Sequence, residues 1–243
     1  MGNAQRHRGQ QSDDAKNFHP DTLPALRRAV ADFSWLLSQG YSDGSATLSL
    51  VGDRYRLTAR QRQAVMRAAC SDQALALRKA KEIDPDQLSG QAIAIDGYNF
   101  LITVESGLSG GIVLECRDSA WRDVASIHGT YRQVEETVPA IRHIAAGLNT
   151  CGVTAATWFL DAPVSNSGRL RQLLLAIARD GGLEWQVHIV NNPDKQLAAS
   201  GLTVVSSDGW VMEQSAGWCN LSRRLLLPLQ TVDPIRFSGQ ESE

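Results

Sequence analysis

The chain has 243 residues, 43% hydrophobic and 21% charged, with a formal net charge of -2. These are the values of an ordinary globular protein with room for a sizeable core and one or two domains. They exclude a globally basic nucleic-acid binder, so any basic surface is local, and with no run of about 18 apolar residues no membrane contact is expected.

Residues 1–16 are polar and lack the apolar stretch of a secretory signal. They read as the start of a disordered tail over 1–19, and the chain as cytoplasmic. The four cysteines, Cys70, Cys116, Cys151 and Cys219, are scattered without the close pairs of a zinc site. Free thiols in a reducing compartment are expected, rather than a disulfide framework.

From 20 to 88 the pattern is helical. Leu23, Leu26, Val30, Phe33, Leu36 and Leu37 recur at three- and four-residue steps. Gly40 can end that helix, and a second short one covers 45–55. Thr58-Ala59-Arg60-Gln61 fits a capping box and predicts one long helix running to Asp84-Pro85-Asp86, the linker.

After Gly90 the period changes. The short apolar runs 92–95, 157–160, 185–190 and 202–205 alternate with amphipathic stretches over 134–148, 166–179 and 193–199. Residues 112–115 allow one more short strand. Strands alternating with helices predict an α/β domain over 89–230, with a covered, mostly parallel sheet. A flexible tail is expected over 231–243.

All four apolar runs stop at or shortly before an aspartate: Asp96, Asp161, Asp194 and Asp208. Parallel strands place their carboxyl ends on one edge, where ligands of open α/β sheets bind. The four can therefore meet, or each can be a plain turn or cap residue. Converging carboxylates repel, and a hard cation, Mg2+ or Mn2+, relieves the repulsion through oxygen ligands. No Walker-type phosphate loop and no G-x-G-x-x-G fingerprint follows a strand.

Asp96-Gly97-Tyr98-Asn99 resembles the opening D-G-x-N motif of PIN-like nuclease domains. Ser207-Asp208-Gly209 resembles their late acidic motif, and Phe159-Leu160-Asp161 a central acidic strand end. From 23 to 229 the chain also resembles the prokaryotic family "domain of unknown function 434". The segments carrying that likeness are 48–55, 161–169, and His128-Gly129-Thr130-Tyr131-Arg132 with Glu135-Glu136-Thr137. The resemblance implies an N-terminal helical part and a PIN-like three-layer α/β part. It implies a metal-dependent phosphodiesterase that cuts RNA, with Asp96, Asp161 and Asp208 as catalytic metal-binding residues. Asp194 is a fourth metal candidate, or caps the following helix.

Around these acids, Arg117-Asp118 and Arg122-Asp123 suggest two arginines on one helical face, clamping phosphate beside an extra acidic ligand. The alternative is a surface of intrahelical ion pairs. Ser165, Ser167 and Arg169 open a helix whose free N–H groups favour an anion, or they are a simple cap. Asn99 orients a water or bonds a phosphate oxygen, or is a turn residue. Arg54, Arg56, Arg60, Arg62 and Arg67 form a basic strip for a nucleic-acid backbone, or a solvated helix face. The competing function is a non-catalytic RNA- or nucleotide-binding module with a degenerate acidic pocket.

Overall fold

The computed structural model describes residues 7–42, 44–125 and 131–238. His128, Gly129 and Thr130 lie outside the described residues.

The helical half consists of α1 (Asp14–Asn17), α2 (Leu23–Ser38), α3 (Ser45–Arg54), α4 (Ala59–Ala68) and α5 (Asp72–Lys81). The capping box is present: the Thr58 hydroxyl accepts from the Gln61 amide, and the Gln61 side chain accepts from the Thr58 amide. The single long helix is instead two. Ala69 is extended, and the Ser71 hydroxyl accepts the Ala74 amide at 3.1 Å, opening α5 anew. A serine cap competes well with helix continuation because it satisfies an otherwise orphaned amide.

Residues 7–19 are not a free tail. Asp14 is buried and receives the Arg60 guanidinium at 2.9 and 3.1 Å. Arg8 meets the buried Glu105 carboxylate at 2.8 Å. Burial raises the Glu105 carboxyl above its usual range, although Arg8 pulls it the other way.

The second half runs β1 (Ala92–Asp96), α6 (Gly97–Leu108), β2 (Val113–Glu115), β3 (Trp121–Asp123), α7 (Thr137–Thr150), β4 (Ala155–Asp161), α8 (Ser167–Asp180), β5 (Trp185–Val190), α9 (Pro193–Ala199), β6 (Thr203–Val205), α10 (Gly209–Gln214), β7 (Gly217–Trp218), α11 (Leu221–Leu226) and β8 (Ile235–Arg236). Five strands form a wholly parallel sheet in the order β5-β4-β1-β6-β7.

Helices cover both faces, making three layers. Ile93, Ile95, Trp158, Leu160 and Val205 face Ile141, Leu170 and Leu225 of α7, α8 and α11. Ala94 and Val204 point the other way, toward Leu197, Val211, Met212 and Trp218. This period-two alternation explains why both faces of β1 are apolar. The chain crosses from one face to the other between β5 and β6, so the strand order switches between β1 and β6, where open α/β sheets place their ligand crevice.

The division into halves is not clean. Strands β3, β2 and β8 form a separate small sheet. Leu114 of β2 and the residues flanking the three strands, Cys116, Val124 and Phe237, share a core with Leu26, Phe33 and Val65 of the helices. Each large side chain so buried contributes about 1.5–3 kcal/mol. The expected flexible C-terminal tail is thus partly a strand, held because Phe237 is buried and its amide bonds the Glu115 carbonyl at 2.8 Å. No helix among the described residues is long and apolar enough to cross a membrane.

Candidate active site

Asp96 ends β1 and begins α6 without a loop between them. Gly97 permits that turn: a Cβ there would lie 2.4 Å from Leu160 Cδ2 and 2.9 Å from the Phe159 carbonyl oxygen. Strand β4 runs too close for any side chain. A Gly97→Ala variant should therefore lose about 1–3 kcal/mol by overpacking, read by chemical denaturation. Wild-type stability in that variant would show that β4 yields freely.

Asp96 is only 4% exposed, and both Asn99 Nδ2 and Ser206 Oγ donate to its Oδ2 at 2.7 Å. Asn99 is one helical turn on, and Ser206 follows β6, whose Val205 is paired with Ile95. Burial pushes the Asp96 carboxyl up. The two donors pull it down, and the charges of Asp208 and Asp194 push it up further, to about 6.

Asp161 ends β4, next to β1, and burial alone raises its carboxyl. Asp194 is raised by burial and then by Asp208 and Asp161. It does not cap its helix: Asn192 does, accepting the Lys195 amide at 3.0 Å. Asp208 does act as a cap, its Oδ1 accepting the Val211 amide at 3.0 Å. The four acids thus stand at the ends of β1 and β4 and just beyond β5 and β6, and the charge of Asp208 is felt at both Asp96 and Asp194. Even so, among the described residues no group of three or more acidic, histidine or cysteine side chains is set to hold a metal ion.

A cleft of about 350 Å³ is lined by Asp96, Asn99, Asp161 and Asp194 together with Arg67 and Asp123. Asp208 lies in an adjoining groove of about 630 Å³, which shares Met66, Arg67 and Asn99 with the first and also holds Tyr41, Arg78 and Trp210. Residues of α4 therefore wall both spaces, although the carboxylates come from the other half.

The arginine expectation needs correction. Residues 113–123 form a hairpin, not a helix, so Arg117 and Arg122 share no helical face. Arg122 is 7% exposed; its guanidinium forks onto Asp118 at 2.8 and 2.7 Å and donates to the Ser207 carbonyl at 2.7 Å. Its donors are spent fixing the loop before Asp208. Arg117 ties the halves together through the Cys70 carbonyl at 2.7 Å and Asp72 at 2.5 Å.

Ser167 is buried, its hydroxyl 2.7 Å from the Asp161 carbonyl and 2.5 Å from that of Val164, so it shapes the turn. Ser165 and Arg169 are exposed there, and Arg169 has no ionic partner among the described residues. The basic strip is largely partnered: Arg54 with Asp32, Arg60 with Asp14, Arg62 with Asp53 and Arg67 with Asp123. Sequence reasoning missed Arg67 as a cleft residue, and placed Asp123 on a helix. Nothing in their spacing signals that α4 and β3 meet.

Fold and site together define a doubly wound parallel α/β domain with an acidic crevice at its strand ends, leaning on a helical half. Residues 85–224 match the family described as "Domain of unknown function (DUF5616)". Residues 25–81 match "Protein of unknown function (DUF434)". The chain belongs to the DUF5616 family. The likeness to family 434, expected to reach residue 229, is thus confined to the helical half. The "Uncharacterized protein MJ0935" of Methanocaldococcus jannaschii is 30% identical over 189 residues, covering 78% of this chain and 89% of that protein. No solved structure matches the chain.

Proposed function

We propose that this protein is a PIN-like, metal-dependent phosphodiesterase acting on RNA. The observation that supports this reading is the buried Asp96 at the switch point of the sheet, its carboxyl raised chiefly by burial and further by the charges of Asp208 and Asp194. Carboxylates held against their own repulsion in a cleft suit a hard cation. The donor set is all oxygen, which fits Mg2+ or Mn2+.

Asp96 would hold the ion on the cleft side together with Asp161 or Asp194, the ion keeping waters for the rest of its shell, and Asp208 stands at the neighbouring groove. When bound, the ion supplies phosphate binding and a bound water of lowered pKa. Asn99 and Ser206 hold the Asp96 carboxylate in one orientation. Arg169 is the exposed cation available to a phosphate near Asp161. Arg117 and Arg122 act at a distance, by fixing the loops.

Purified protein should cleave labelled RNA in Mn2+, and Asp96→Asn should reduce cleavage by at least about a hundredfold. Equal cleavage by both proteins would mean a contaminant and end the proposal. The second reading, a non-catalytic RNA- or nucleotide-binding module, draws on the lack of a preset three-acid cluster among the described residues. It expects salt-sensitive RNA binding that survives Asp96→Asn, with no turnover by either protein.

A further inference from the structure

Glu105 of α6 is fully buried, and nothing in the proposed site uses it. Its one ionic partner among the described residues is Arg8, 97 residues back along the chain. Arg8 Nε and Nη2 lie 3.0 and 2.8 Å from Glu105 Oε2, while the Tyr131 and Thr137 hydroxyls donate to Oε1 at 2.5 and 2.6 Å. The Arg8 guanidinium also lies 5.6 Å from the centre of the Tyr131 ring and donates to the Arg132 carbonyl at 3.3 Å. A carboxylate buried this deeply needs a cation to stay charged. The neighbouring residues are seated as well. His7 lies 2.7 Å from Glu136 and 3.3 Å from Glu135. A Cβ on Gly111 would come 3.0 Å from the Arg8 carbonyl oxygen, and one on Gly9 3.2 Å from that of Ser109, so two glycines admit the close approach.

From Tyr131 two contacts run to the cleft. Its ring packs on the Tyr98 ring at 5.2 Å; Tyr98 lines the cleft, and its hydroxyl is 2.7 Å from Ser167 Oγ. The Tyr131 carbonyl accepts from Asn166 Nδ2 at 2.9 Å, holding a residue whose φ of 73° is left-handed. Asn166 and Ser167 belong to the turn that follows Asp161, and the Ser167 hydroxyl donates to the Asp161 carbonyl. Arg8 thus reaches the backbone of a cleft acid through Tyr131, without touching that acid.

We propose that residues 7–9 are a strap that holds the acidic cleft in shape, with Arg8 as its positioning residue. Unseating the strap leaves Glu105 buried without its cation. The charged acceptor that anchors the Tyr131 hydroxyl is then lost, and the turn after Asp161 loses both of its supports, the Tyr98 ring and the Tyr131 carbonyl. The N-terminal segment therefore controls the cleft from outside it. This deepens the phosphodiesterase reading by naming a control of the same site, and rests on it only for the link to cleavage.

The test is amide hydrogen exchange of the full-length protein, read by mass spectrometry in EDTA, where no turnover enters. In the wild type, peptides from 131–137 and 161–168 should open together, because Tyr131 holds both. Arg8→Ala should speed exchange of both by at least about tenfold and leave the α2 peptide unchanged. Arg8→Lys keeps a charge beside Glu105 and preserves the fold should Arg8→Ala not; lacking the guanidinium fork, it should speed the same two peptides about threefold. Independent opening of the two segments in the wild type would overturn the assignment. So would faster exchange confined to 7–11 and 105–111, or spread evenly over the chain, in a folded variant. With Mn2+, cleavage of labelled RNA should fall in step with the loosening. Cleavage that persists unchanged in a loosened variant would remove the strap as a control and leave the phosphodiesterase reading intact. A loosened turn with no cleavage even by the wild type would do the reverse.

Discussion

Asp118→Ala should cost the folded protein about 3–5 kcal/mol, with the loss measured by urea denaturation at pH 7. Asp118 is buried and receives two arginines: Arg122 from β3 through both of its terminal nitrogens, and Arg78 from α5 at 2.6 Å. Burial opposes its ionisation, but the charges of Arg122 and Arg78 outweigh that and hold its carboxyl below the usual carboxylate range. Removing it would strand two guanidinium groups with one remaining acid, Glu213, on Arg78.

Because the Asp118 carboxyl is depressed in the folded state, its contribution is fully present at neutral pH. It disappears as pH falls through that depressed value. The Arg122 Nε bond to Ser207 links this fork to the loop before Asp208, so the proposed RNA cleavage should fall with stability. A cost under about 1 kcal/mol would show that water substitutes for the carboxylate.

Asp96→Asn should have the opposite effect on stability while removing the proposed cleavage. The Asp96 carboxyl is raised from 3.8 to about 6 in the folded chain, chiefly by burial. Between those values the folded state binds more protons than the unfolded one. Wild-type stability therefore declines as pH rises from about 4 to 6, and the penalty is complete above 6. Its size is about 3 kcal/mol, from the spread of those two values.

Asparagine removes the buried charge and can still accept from Asn99 and Ser206. In EDTA at pH 8, Asp96→Asn should melt higher than wild type, and at pH 3.5 the two should coincide. Mn2+ should then raise the wild-type melting temperature above pH 6 and leave the variant unmoved. A variant that melts lower at pH 8 would show that the ionised Asp96 is not a strained group.

Much of the scaffold was legible in the chain. The four strands of the parallel sheet that precede acids were readable as apolar runs, because buried parallel strands need no polar alternation. Helices α7, α8 and α9 followed from apolar spacing. Helix α6 escaped because it is almost wholly buried: from Gly97 to Gly107 only Asn99 is not buried, so no amphipathic stripe marks it. Strands β3, β7 and β8 escaped because two- and three-residue strands carry too little pattern.

The candidate site divides in the same way. That Asp96, Asp161, Asp194 and Asp208 share an edge could be argued from the sequence, because parallel pairing fixes where strand ends go. Local chemistry also fixed the Thr58 cap. Only the tertiary structure decided that Arg122 is a buried strut and that Asp194, not a cap, faces the cleft. It alone brought Arg67 of α4 beside Asp123 of β3, 56 residues apart in the chain. Periodicity and turn chemistry act over a few residues, whereas the partner of a charged side chain is chosen by packing between distant elements.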